Sequence, residues 1–385
     1  MNRMYAFFSR PTVILCVYLL IGAATAIQKY LNNSYNNFKI FKASFIHLTH
    51  KQNLHLEYPS EYYDIFLYHP TFAVLFAPFA YLPMLLGMIV WNVFSTFLVF
   101  KAVENTPLSK NGKIFVWWFI LVELITALQN MQTNPIIAAI IVLAFGFFEK
   151  RQLWQATFTA ALGFFIKGYG GIAAASILLF KRDFWKNTPI YIVNVLFLSL
   201  LPAIITGFAD LPRLYIDWRD CLVADHKVNL GVSLIGLIHG AGGSFIDPYK
   251  IQIGGIICLM TFLAYVFFKK TDILEARLLT LAYLLMWVIL FNHAAESNTH
   301  IISVMGVAIW YAVTPKNNWT LALLIFVFIL TQLSPSDIFP RFLREQYVRP
   351  YALKALPILL VWLRLHYDIF YIGVPINKRL TANTD

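Results

Sequence analysis

The chain has 385 residues, 59% of them hydrophobic and only 13% charged, about half the ~25% charged share of a soluble domain. That balance excludes a soluble enzyme, a disordered chain and a disulfide-built secreted scaffold, and the long unbroken apolar runs exclude an outer-membrane barrel, which would alternate in ~10-residue segments. The net charge of +11 marks cytoplasmic loops and lipid headgroup contacts in such a chain, and no nucleic-acid partner is read from it. Cys16, Cys221 and Cys258 form no CxxC spacing, so neither a disulfide nor a zinc site is expected.

In chain order, apolar segments long enough to be spans fall at residues 11–28, 84–103, 114–130, 133–148, 152–167, 169–181, 188–207, 251–268, 277–293, 299–314, 319–334 and 351–370. The expected fold is all-α: one integral membrane domain over residues 1–385, a polytopic bundle of about 12 helices (11–13) whose outer-face loops carry short interfacial helices. The stretch Thr71–Leu82, interrupted by Pro78, reads as a half-helix or a thirteenth span. Ala24-Thr25-Ala26 looks like a signal-peptidase site, yet Pro11–Ala26 is read as a retained first helix.

With the N-terminus inside, 17 Lys and Arg fall in short inner loops and 13 in longer outer ones. The inner density is about twice the outer, which places both termini in the cytoplasm. The two long polar loops, about 29–70 and 208–250, then face outward, and chemistry is expected there. No internal repeat, heptad or phosphate loop is present. Lys167-Gly168-Tyr169-Gly170-Gly171 lacks the GxxxxGK[ST] order and reads as glycine-eased helix packing.

Several polar groups stand out against this background. Asn36–Phe45 is an aromatic-rich amphipathic stretch with Lys39 and Lys42 on one helical face, suited to the headgroup plane or to a lipid phosphate. Residues 57–72 crowd Glu57, Glu61 and Asp64 with Tyr58, Tyr62, Tyr63, Tyr68 and His69, either a sugar-recognition set or an interfacial aromatic belt. Glu123 lies inside an apolar run, where ionisable groups are costly. Residues 129–135 form a polar outer turn, and Lys167 ends a helix where it can snorkel. Residues 291–300 hold His293, Glu296 and His300. His293 and Glu296 would need a third ligand to bind a metal, so a hydrogen-bonded helix-end cluster is preferred. Arg219 stands among Asp217, Asp220 and Asp225, as a salt-bridge partner or a bidentate phosphate ligand. No cofactor is assigned, and dependence on a divalent metal is left open by the pattern.

The order and spacing of four segments resemble polytopic glycosyltransferases of family 87 in the GT-C superfamily, which include mannosyl- and arabinofuranosyltransferase-like members. The segments are Asn37–Lys42 followed by Asn53-Leu54; Tyr68-His69-Pro70-Thr71-Phe72 running on to Pro83 and Trp91-Asn92; Gln132-Thr133-Asn134 followed by Lys167; and Asn229–Leu237 followed by Phe291–Thr299. The resemblance implies a GT-C-like fold in a bacterial inner membrane. It implies sugar transfer at the outer face from a polyprenyl-phosphate donor to a lipid or polysaccharide acceptor, with membrane lipids around it. It also implies an Asp base in the first outer loop and basic residues on the donor phosphate.

The chain departs from that pattern: Asn37 stands where actinobacterial members place the Asp, and an amide cannot take a proton. Phe41 and His55 replace two expected tyrosines. The candidate bases are therefore Glu296, whose place beside His293 suggests partial burial, then Asp64, then Glu61. Lys39, Lys42, Lys167 and Arg219 are the candidate phosphate ligands, with Tyr68, His69 and His293 near the sugar. Two other readings compete: a flippase of lipid-linked saccharide that uses Glu123, and a non-catalytic member, for which Asn37 is the main support.

Overall fold

The computed structural model describes residues 3–225 and 230–372; Asn229 and the basic pair Lys378-Arg379 lie outside the described residues. Every regular element among them is helical, as the composition requires. The chain divides into two compact units, Met1–Ile177 with Asp183–Asn229, and Leu178–Arg182 with Leu230–Asp385.

In the first unit the main helices are α1 (Pro11–Leu31), α2 (Asn36–Thr49), α3 (Pro70–Leu75), α4 (Met84–Asn105), α5 (Lys110–Phe119), α6 (Leu121–Leu128), α7 (Asn134–Glu149), α8 (Leu153–Ile166), α9 (Phe184–Leu200) and α10 (Leu211–Asp225). Proline at the first or second helical position starts α1, α3 and α7, where a missing N–H costs nothing. α1 and α4 meet at Gly22, where an added Cβ would stand 3.0 Å from Asn92 O, and Asn92 Nδ2 donates to Thr25 Oγ1 at 3.1 Å. Small residues and interhelical amides are how helices associate where lipid supplies no hydrophobic drive. α7 buries 13 of its 16 residues, so it is apolar on all sides and forms the core of the unit.

α5 and α6 meet at a 44° bend without a proline or glycine at the break. The buried Tyr18 hydroxyl donates to Trp117 O at 2.7 Å, just before the bend. A side chain that takes a ladder acceptor bends a helix in this way. Glu123 sits in the first turn after the bend, fully buried. Its carboxyl group stands in the first turn of α6, at the positive end of that helix.

α8 ends at Lys167 and runs into a 3-10 stretch, Gly168–Leu179. Gly163 and Gly170 allow the chain to fold back on itself, since a Cβ on Gly163 would stand 2.5 Å from Gly170 O. Gly163→Ala is expected to cost about 1–3 kcal/mol through overpacking, read as a lower melting temperature of the purified protein. An unchanged melt would mean that the two segments can part cheaply.

In the second unit, α11 (Leu234–Gly240), α12 (Pro248–Lys269), α13 (Leu274–Leu290), α14 (Ile301–Val313), α15 (Asn318–Phe326) and α16 (Leu356–Tyr371) follow in order. α13 and α14 form a nearly fully buried hairpin, with Gly306 seated against Ala282 O. The segments 230–237 and 291–299 do come together. Val232 N donates to Ala295 O at 2.5 Å, and Gly231 has φ +65° with no room for a Cβ against His293 O.

Among the described residues four helices are long and apolar enough to cross a membrane, Pro11–Leu31, Met84–Asn105, Lys181–Thr206 and Pro248–Lys269, or five if the bent Lys110–Leu128 pair is one span. The expected dozen is not reached by this measure. Helices such as Asn134–Glu149 and Leu153–Ile166 are 16 and 14 residues long, short for a core that takes ~20. The interfacial helix expected at 36–45 exists as α2, but eight of its 14 side chains are buried in protein. Phe38 and Phe41 pack on Phe72, Phe76 and Trp91, with Phe41 and Phe72 centroids 5.1 Å apart.

Candidate active site

The first unit brings the candidates Tyr68 and Lys167 together with Thr133 and Asn134. Tyr68 comes from the loop before α3, Thr133 and Asn134 from the start of α7, and Lys167 from the end of α8. Lys167 Nζ donates to Asn134 Oδ1 at 3.2 Å and stands 5.4 Å and 5.2 Å from the ring centroids of Tyr68 and Tyr169. Tyr169 Oη donates to Asn134 Oδ1 at 2.7 Å, and Thr133 Oγ1 donates to Tyr68 Oη at 3.3 Å. Lys167 therefore folds inward rather than snorkelling. An ammonium flanked by hydroxyls, amides and ring faces offers charge to an anion and stacking surface to a sugar ring.

Asn37 Nδ2 donates to Asn130 O at 2.8 Å, tying α2 to the 129–133 turn. Its neighbour Asn36 clamps the backbone of Tyr63, donating to Tyr63 O at 2.5 Å and accepting from Tyr63 N at 3.1 Å. This clamp sets Asp64 beside the first turn of α2. Asp64 is exposed, has φ +79°, and accepts from Ile65 N at 2.8 Å. A non-glycine residue held in that region stores backbone strain, and such strain concentrates at functional sites. Burial first, then the Asp225 charge and last the Asp64 charge push the Cys221 thiol of α10 up to about 11.

Glu61 is half-exposed and meets His47 Nε2 at 3.2 Å. His47 is buried under Tyr58, with ring centroids 4.0 Å apart, and burial raises the nearby Tyr62 hydroxyl well above its ordinary range. Glu61 is thus bound to a buried imidazole.

His69 caps α3: its Nδ1 accepts from Thr71 N at 3.1 Å, which leaves the ring proton on Nε2. Phe165, Tyr215 and Trp218 enclose the ring at centroid distances of 4.8, 5.2 and 4.6 Å. Burial, with a smaller contribution from His55, lowers His69 to about 3. Because its pKa is lowered from an unfolded value near 6.5, His69 contributes stability above pH 6.5 that is lost as pH falls toward 3. Acidification across that window is expected to destabilise the protein by up to about 1.4 kcal/mol per pH unit from this group. His69→Gln should flatten that part of the melting-temperature profile, and an unchanged profile would place the ring's titration elsewhere.

The other candidates stand differently. Lys39 lies over Tyr35, with 5.1 Å to the centroid, and Lys42 Nζ donates to Leu82 O at 2.8 Å; no hydrogen bond or ring contact joins either to Lys167. Arg219 is exposed and bound to Asp220 at 2.8 Å. In the second unit Glu296 is exposed, not partly buried as the sequence suggests, because it caps the turn at Ser297–His300. It accepts from Asn298 Nδ2 at 3.0 Å, and its N–H donates to Thr299 Oγ1 at 3.0 Å. His293 Nδ1 lies 3.4 Å from Gln252 Nε2. Among the described residues no group of three or more His, Cys, Asp or Glu side chains is placed to hold a metal ion.

His47 and Tyr169 escaped the sequence reading. His47 falls on the stripe Ile40, Ser44, His47 at spacing i, i+4, i+7, a face that an amphipathic helix buries. Tyr169 gives no comparable signal, since its place depends on the chain reversal at Gly163 and Gly170.

Apolar helices long enough to cross a bilayer define an integral membrane protein. The chain matches the model of glycosyltransferase family 87 over residues 66–291, more than half of its length, and belongs to that family. It is a membrane glycosyltransferase, acting on a sugar donor and an acceptor. No curated protein matches it. The matched residues include Tyr68, His69, Lys167 and Arg219, whereas Asn37, Glu61, Asp64, His293 and Glu296 fall outside them.

Proposed function

We propose that the protein moves a sugar from a polyprenyl-phosphate donor to a lipid or glycan acceptor at the outer face of a bacterial inner membrane. The observation that supports this reading best is the Lys167–Asn134–Tyr169–Tyr68 cluster, because the leaving group of such a donor is a phosphate whose charge needs a fixed cation. Asp64 is the proposed base. The acceptor hydroxyl attacks the anomeric carbon and gives its proton to the Asp64 carboxylate. The bond from the anomeric carbon to the phosphate oxygen breaks, and its electron pair leaves with the polyprenyl phosphate toward Lys167. Asn37 has no proton to take in this scheme and serves to hold α2 on the 129–133 turn.

The test is sugar transfer by the purified protein, with a small panel of polyprenyl-phosphate sugars and release of polyprenyl phosphate as the readout. Turnover with one of them supports the reading. Saturable donor binding without transfer would instead make this a binding member of the family or a carrier.

A further inference from the structure

The second unit contains a cavity to which Val232 and Ser297 of the 229–237 and 291–299 segments contribute. It measures about 250 Å³, and Ser297, Arg344, Arg349, Lys354 and the apolar Val348 are among its walls. Ligand pockets for whole small molecules run ~300–1,000 Å³, so this one suits a headgroup rather than an entire lipid-linked saccharide.

Its backbone is irregular on several sides. Val327–Leu333 and Arg344–Val348 are π-helical, a conformation that recurs at functional sites. Ala352, in the cavity wall, has φ +49°, which strains a residue with a Cβ. Lys354 is only 2% exposed. Its Nζ donates to Ser297 O at 2.6 Å and Ser297 Oγ at 3.1 Å, and its carbonyl accepts from Thr331 Oγ1 at 2.8 Å. Burying an ammonium is costly, and the surrounding fold is shaped to retain it.

Arg344 and Arg349 supply planar donors on the same wall. Arg344 is 12% exposed and Arg349 66%. Glu345 holds both, at 3.2 Å from Arg344 Nε and 2.7 Å from Arg349 Nη1, and Asp337 stands 3.9 Å from Arg344. Arg344 Nη1 also donates to Ser336 O at 2.8 Å. The arginines are therefore occupied by a half-exposed carboxylate that a stronger, multi-oxygen anion can displace. Guanidinium forks pair with phosphate bidentately, and lysine meets it as a point charge.

We infer that the cavity walled by Arg344, Arg349, Lys354 and Ser297 binds the phosphate of a membrane amphiphile. The donor reading bears only on which amphiphile that is. Two sources share the chemistry, a polyprenyl phosphate and an anionic phospholipid of the bilayer.

The experiment measures binding, not transfer, on the full chain in detergent. Probes are polyprenyl phosphate without sugar, phosphatidylglycerol and inorganic phosphate, with wild type, Arg349→Gln and Glu345→Gln compared and melting temperature recorded for each. Arg349 is exposed, so its loss is expected to leave the fold intact. Arg349→Gln is expected to weaken polyprenyl-phosphate binding about tenfold or more, and Glu345→Gln to tighten it by removing the competing carboxylate. A purely structural role for these residues does not produce the second result. Preference for polyprenyl phosphate over phosphatidylglycerol assigns the cavity to a polyprenyl phosphate held apart from the Lys167 site, and equal binding of both, weakened by Arg349→Gln, assigns it to bilayer lipid. Binding that neither substitution alters, or no binding of any probe by well-folded protein, overturns the inference. Failure of sugar transfer with this binding intact would count against the catalytic proposal alone.

Discussion

Asp64→Asn is expected to lower kcat for sugar transfer by about 10²–10⁴-fold, the usual contribution of a positioned base. The side chain keeps its size and its bond to Ile65 N, so the strained turn and the Asn36 clamp should survive. KM for donor should move little, since the proposed step uses Asp64 only as the acceptor proton leaves. Asp64→Glu should recover part of the rate while shifting its pH profile. Glu61→Gln breaks the contact with His47 and is expected to act through the 58–64 loop, with a smaller loss of kcat. Glu296→Gln alters the cap of the Ser297–His300 turn and should change melting more than rate. Kinetics for the three variants side by side decide the assignment. Normal turnover in Asp64→Asn, with loss in Glu61→Gln or Glu296→Gln, would transfer the role to that carboxylate.

Lys167→Met should reduce kcat/KM for the donor by about 10²–10³-fold, the scale seen when one preorganised charge-stabilising donor is removed. The methionine stem preserves most of the packing against Tyr68 and Tyr169, so the charge is the main thing lost. Lys167→Arg keeps the charge but alters its geometry beside Asn134 and is expected to fall between the two. Tyr169→Phe removes the 2.7 Å hydroxyl bond to Asn134 and should produce a milder form of the same defect. Donor titrations at fixed acceptor measure this. A Lys167→Met enzyme with unchanged kcat/KM would place the phosphate away from this lysine.

The structure also explains why some residues could be read in advance and others could not. Pro70 at the start of α3 and Pro135 at the start of α7 are local signals, because fixed φ and a missing N–H act within one turn. The pairing of 230–237 with 291–299 was not legible in the sequence: the family resemblance gave only their order, and nothing local to Gly231 predicts that it must fit against His293 O. Glu296 misled the reading because proximity to His293 in sequence says nothing of exposure, and its carboxylate is engaged by the turn that follows. Lys354 falls inside the expected span 351–370, and its flanks Leu353 and Ala355-Leu356 are apolar and signal a buried position.

By itself the sequence determined the class of protein, an all-helical chain with membrane-capable apolar segments, but not the number of its spans. Its low charge and long apolar runs admit no other way of satisfying the backbone in lipid, where every N–H and C=O must be bonded internally. It also carried the family, through motifs short enough to be local. Only the tertiary structure decided which polar residues share a site. Tyr68, Asn134 and Lys167 are distant in sequence and meet because glycines at 163 and 170 let backbones touch, while Lys39, Lys42 and Arg219 are drawn to other partners. Such meetings depend on packing across long separations, which no window of sequence contains.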